Sequence, residues 1–116
     1  MARITVSDLT APTIAIVDSG ANLVMLHRLD NAQLSSVRIA EAKAKTAAEF
    51  RRPTKVFEDA VASGGIGLRV LTFGASVAEG GVPIVSGGTI VGAIGVSGVQ
   101  SHQDAQIAQA GADAVK

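Results

Sequence analysis

The tetrapeptide Gly95-Val96-Ser97-Gly98 runs from an apolar segment into what reads as the start of a helix. A strand–loop–helix junction of this kind presents backbone N–H groups that can hold a carboxylate or phosphate. The same glycines also suit a plain chain reversal, which is the simpler reading of them. Neither the dinucleotide-binding glycine signature nor the phosphate-loop lysine motif is present. Ser97 is not a hydrolase nucleophile on this pattern. Gly95-Val96-Ser97-Gly98-Val99 matches the Gly-x-Ser-x-Gly elbow only in its first three positions. His27 and His102 are the only histidines. Their separation does not define a metal site, but either neutral imidazole could ligate a metal or a haem iron. His27 falls in an apparent strand, where a lone histidine is commonly just a surface residue. His102 sits at a helix start beside the glycine junction, where the helix dipole disfavours a cationic ring. Lys43 lies in an otherwise apolar helical stripe, and Glu79 precedes Gly80-Gly81 on a loop, where functional groups concentrate. For Glu79 the plain alternative is a solvated loop charge. With no cysteine in the chain, disulfides, thiolate metal sites and cysteine nucleophiles are excluded.

These residues need elements to position them. A chain of 116 residues suits one domain, residues 1–116, with room for a real core. Residues 13–18 (Thr-Ile-Ala-Ile-Val-Asp) and 23–29 are apolar runs joined by the turn cluster Asp18-Ser19-Gly20-Ala21-Asn22, which predicts a β-hairpin. Alternation puts Met25 and His27 on one face of the second strand, and Val24, Leu26 and Arg28 on the other. Residues 34–50 have helical periodicity, with Ser35 or Ser36 as the expected cap and Leu34, Val37, Ala40, Ala44, Ala47 and Ala48 as the apolar stripe. Ile39, Lys43, Thr46 and Phe50 form a second stripe, which suggests a subunit interface or pocket wall, or a partly exposed face without a role. Pro53 ends the helix. Thr54 can cap a short helix over 55–62, broken by Ser63-Gly64-Gly65. Residues 68–78 read either as a short strand or as an irregular segment.

A second hairpin follows, with strands around 82–85 and 90–97 and the turn Ser86-Gly87-Gly88-Thr89. Gly92 and Gly95 lie within its return strand on opposite faces, where a helix, a ligand or another subunit could approach closely. Ser101 is the expected cap of a last helix over 102–115, with Asp104 in its first turn.

Composition narrows the function classes. Ten basic and ten acidic residues give zero net charge, and no basic run is present, so nucleic acid is not an expected partner. No apolar run approaches the ~20 residues of a membrane span, and the N-terminus lacks the apolar core of a secretory signal. A cytoplasmic location is the default expectation. The apolar fraction is 47% but is rich in alanine and valine, with 3% aromatics. Small side chains bury little area each, so further burial in a homo-oligomer is expected.

Four segments occur in order: residues 16–24 (Ile-Val-Asp-Ser-Gly-Ala-Asn-Leu-Val), 42–47 (Ala-Lys-Ala-Lys-Thr-Ala), 80–84 (Gly-Gly-Val-Pro-Ile) and 92–98 (Gly-Ala-Ile-Gly-Val-Ser-Gly). Asp104 and Ala108 follow. Over about residues 12–115 the chain resembles the GlcG/HbpS-like family, the haem-degrading domain family, which includes the C-terminal domain of PduO-type corrinoid adenosyltransferases. The resemblance implies a profilin-like α/β fold of the α+β type, with a central antiparallel sheet of about five strands flanked by helices, in a dimer or larger assembly. It also implies haem or corrinoid binding. Similarity extends to lyases acting on hydroxylaminobenzoate. Such domains open with a long helix, whereas here Ile4-Thr5-Val6-Ser7-Asp8-Leu9 runs at once into Ala11-Pro12-Thr13, so the N-terminal helix is expected to be missing.

Two functional expectations result. In the first, a tetrapyrrole such as haem binds near Gly95, Val96, Ser97 and Gly98 and Lys43, with His102 or His27 as axial ligand. In the second, a lyase acts on a small aromatic carboxylic acid. Glu79, His102 or Asp104 would transfer protons, and Lys43 or the junction amides would hold the carboxylate. A plain assembly module without a ligand is the third reading.

Overall fold

The computed structural model describes residues 11–115. The expectation about residues 4–9 lies outside them. Strand β1 (Thr13–Asp18) pairs antiparallel with β2 (Leu23–Arg28) across the predicted turn. Asp18 fixes that turn: its carboxylate accepts the N–H groups of Gly20 and Asn22, each at 2.9 Å. The Asn22 N–H, with help from Gly20, holds the Asp18 carboxyl below its ordinary range. Strands β3 (Gly81–Ser86) and β4 (Thr89–Ser97) form the second hairpin, turning at Gly87-Gly88 with φ of 59° and 79°. Both values are left-handed, as the tight turn requires. The order is β2-β1-β4-β3, all antiparallel. The described residues thus hold four strands rather than about five, in the expected α+β class.

The sheet has two differently covered faces. Helix α1 (Leu34–Phe50) lies on the face of Ala15, Val17 and Ala93, burying Ala40, Ala44, Ala47 and Ala48. An alanine-lined helix can come very close. A Cβ on Gly95 would stand 2.1 Å from the Ala40 carbonyl oxygen and 2.5 Å from the Ala44 nitrogen. The helix that approaches this strand is therefore α1, and Gly95 is what admits it. Helix α3 (Ser101–Asp113) covers the other face over β3 and β4, packing Ala108 and Ala112 on Val82, Ile84, Ile94 and Val96. Among the described residues, no helix covers β1 and β2 on that face. Ile14 and Ile16 are half-buried there, and β2 is exposed at all six positions.

Between α1 and β3 the chain makes helix α2 (Lys55–Ser63) and a 3-10 helix (Gly65–Thr72), whose second half overlaps the ambiguous segment 68–78, which forms no strand. Phe50 meets Phe57 edge-on at 5.0 Å and stacks on Phe73 at 6.3 Å, forming one ring cluster. Thr54 precedes α2, but its hydroxyl does not cap it. It accepts the Gly81 N–H at 2.9 Å, tying α2 to the start of β3.

Candidate functional site

Lys43 and Thr46 of the second stripe of α1 are buried, while Ile39 and Phe50 are half-buried. Thr46 accepts the Ser76 N–H at 2.8 Å, and Lys43 is 2% exposed. The Lys43 ammonium donates to the Val96 carbonyl at 2.9 Å and to Asp104 Oδ2 at 3.1 Å. The other oxygen of Asp104 accepts the Val99 N–H at 3.1 Å. A buried charge stays charged only with such partners. Burial pushes the Asp104 carboxyl above its ordinary range, and the Lys43 charge and the N–H groups of Val99 and Gly98 pull it back down. The ion pair therefore ties α1, the end of β4 and the first turn of α3 together.

This pairing changes what the glycine junction can offer. The N–H groups of Gly98 and Val99 point at the chain's own carboxylate. Gly95 lies under α1, and the Val96 carbonyl serves Lys43. Of the four junction residues, Ser97 and Gly98 reach open space. They line a cleft of about 630 Å³ between the start of α1 and the β4–α3 loop, together with Ser35, Ile39, Val99 and Ser101. Further lining comes from Gln33, Ser36, Gln100 and Gln103, so among the described residues no charged side chain lines it.

The caps differ from expectation. Gln33 and Gln100, rather than serines, precede the two helices. Ser36 instead points back to the Gln33 carbonyl, and Thr13 meets Ser36 at 2.7 Å. The Gln103 side chain accepts the Gln100 N–H at 3.2 Å, the reciprocal arrangement of a capping box.

The remaining candidates stand apart. His102 is exposed on α3 and does not line the cleft. Glu79 is half-buried, with its N–H donating to Glu58 Oε1 at 2.9 Å, and it too lies outside the cleft lining. His27 is exposed on β2 opposite Ile14, and Met25 is opposite Ile16. Cross-strand partners share a face, so His27 stands on the sheet face that α3 leaves open. That apolar setting follows from the strand register, which alternation along one strand does not reveal.

Sheet, helices and cleft define a small α+β domain with a helix on each face. The family model described as haem-degrading protein, HbpS-like, matches residues 4–113, and the chain belongs to this family. Protein GlcG of Escherichia coli (strain K12) is 43% identical over 85 residues, covering 73% of this chain and 63% of GlcG. The chain thus spans less than two thirds of that relative. Among solved structures, a PduOC–heme complex aligns over 90% of this chain and 78% of its own, with a TM-score of 0.80 and 28% identity. A double mutant of Streptomyces reticuli HbpS covers 90% of this chain and 71% of its own, with a TM-score of 0.79 and 30% identity.

Proposed function

We propose that the protein binds haem or a related tetrapyrrole, with His27 as the axial ligand. The observation that carries this is the position of His27: an exposed imidazole on an apolar sheet face with Ile14, Ile16 and Met25. A macrocycle needs a flat apolar bed, and its iron takes a neutral imidazole. The heme complex of a structural relative supports the same ligand class. When bound, haem would supply a redox-active iron, while this chain supplies the imidazole and the apolar bed. His102 is the competing ligand, on a helix surface. Assembly into a homo-oligomer accompanies this reading. Leu23, Val24, Met25 and Leu26 on β2, and Ile66, Leu71 and Phe73 on the 3-10 excursion, are all exposed. No helix of the described residues is long and apolar enough to cross a membrane.

Haemin titration followed in the Soret region tests the reading. The band should shift and saturate for the native chain and for His102→Ala, and the shift should be lost in His27→Ala. Loss in His102→Ala alone would transfer the ligand role, and no shift in the native chain would end the haem reading.

A second reading, a lyase for an aromatic carboxylic acid, is favoured by the uncharged, donor-rich cleft beside Ser97. Glu79, His102 or Asp104 would have to reach the substrate for proton transfer. Turnover reduced in Glu79→Gln or His102→Ala would support those roles, and unchanged turnover in both would remove them.

A further inference from the structure

We infer that the cleft between α1 and the β4–α3 loop is a binding site for a small organic carboxylate, held by the Ser97 hydroxyl and the first-turn N–H groups of Ser35 and Ser101. This rests on the cleft that favours the lyase reading, but it needs neither turnover nor haem.

Ser36 donates to the Gln33 carbonyl, so Thr13 must donate to Ser36, and both hydroxyl protons are spent inside the protein. Gln103 accepts the Gln100 N–H, and Val99 N–H goes to Asp104. Ser97 differs. It is only 7% exposed and lines the cleft, yet its hydroxyl makes no hydrogen bond among the described residues. Ser97 pairs with Thr13 across β1 and β4. Its side chain therefore shares the Thr13 face, toward the start of α1 where Ser36 lies.

Two helices of 17 and 13 residues begin at this cleft. The first-turn N–H groups of a helix have no intrahelical partner. Those of Ser35 and Ser101 belong to lining residues. Both helix dipoles place partial positive charge there, and among the described residues no acidic side chain lines the space to oppose it. Unspent donors call for a ligand group that only accepts, which describes a carboxylate. The volume of about 630 Å³ far exceeds what an inorganic anion fills, and Ile39 and Val99 give an apolar wall for a carbon skeleton.

Amide NMR with benzoate and benzamide as probes tests this on the full chain. Benzoate should give saturable shifts at the amides of Ser35, Ser97 and Ser101, while benzamide, of equal size but neutral, should bind at least fivefold more weakly. Ser97→Ala should weaken benzoate at least fivefold, with amides elsewhere unmoved. Equal binding of the two probes, shifts scattered over the surface, or unchanged benzoate affinity in Ser97→Ala would each overturn the proposal. The benzoate–benzamide comparison uses the native chain and so stands even if the variant fails to fold. Haemin titration of the same samples reads the His27 proposal separately.

Discussion

Replacing Lys43 by methionine removes one charge of a buried pair while keeping most of the length of the side chain. At 3.1 Å and an effective dielectric constant of about 20, two unit charges attract by about 5 kcal/mol. Desolvation of the two ions offsets much of that in the native protein. The variant, however, keeps the Asp104 burial cost and loses the compensation, so the expected destabilisation at pH 7 is about 3–5 kcal/mol. With a urea slope of about 1.5 kcal/mol per M, the unfolding midpoint should fall by about 2–3 M. The loss should be smaller at acid pH. The folded carboxyl of Asp104 is raised above its ordinary value of 3.8. The folded state therefore holds its proton more tightly than the unfolded chain. The stability from protonated Asp104 is complete below that ordinary value and is lost as pH rises through the folded value. Without Lys43 the folded value rises further, so Lys43→Met should be least damaging near pH 4 and most damaging near pH 7. The double variant Lys43→Met/Asp104→Leu should recover most of the loss at pH 7, because an apolar pair leaves no charge buried. Urea unfolding by circular dichroism at both pH values measures all of this. A cost below about 1 kcal/mol, or one equal at the two pH values, would refute the claim that this charged pair closes the junction.

Other outcomes follow from single contacts. Gly95→Ala forces α1 off the sheet, since its methyl would stand 2.1 Å from the Ala40 carbonyl oxygen; a loss of about 3 kcal/mol or more is expected in thermal unfolding, at or beyond the upper end of ordinary overpacking. Thr54→Val keeps the shape but strands the buried Gly81 N–H, costing about 1–3 kcal/mol in urea unfolding. Mutating two exposed apolar residues of the 3-10 excursion to serine, Ile66 and Leu71, should lower the mass measured by light scattering if that excursion is an interface between copies.

Much of the fold is local in origin, and that part was legible. Asp18 and the glycines at 87 and 88 announce their turns by residue type, because the turn geometry and the side-chain chemistry belong to the same few residues. The 3-10 stretch was not. Its apolar residues alternate ambiguously and stay exposed, so no buried face imposes a period on them. The serine caps misled for another reason. Ser36 meets Thr13 from a strand 23 residues away, and a long-range partner outweighs a local preference. The ion pair is harder still to foresee, since Lys43 and Asp104 are 61 residues apart. The signal present was a lone lysine inside an apolar stripe, together with an acid in the first turn of the last helix. Each had a plausible separate use, as a pocket wall and as a dipole partner.

The pair also alters how the glycine junction should be read as a site. A junction amide attracts an anion only while it lacks one, and Asp104 is already held by Val99 and Gly98. Lys43, the nearest matching cation, neutralises that anion instead of facing the cleft. Lys43 and Asp104 are thus spent on closing the junction, which leaves Ser97 and two helix starts as uncharged donors beside it. Such a site gains its anion preference from oriented N–H and O–H dipoles, which keep their alignment whatever the pH between about 5 and 8. Carboxylate binding at the cleft should accordingly be flat across that range once the ligand is ionised. Benzoate affinity measured at pH 5.5, 6.5 and 7.5 tests this: equal values fit a ligand held by Ser97 and the helix starts, and a fall of threefold or more with rising pH would refute a site built on uncharged donors alone.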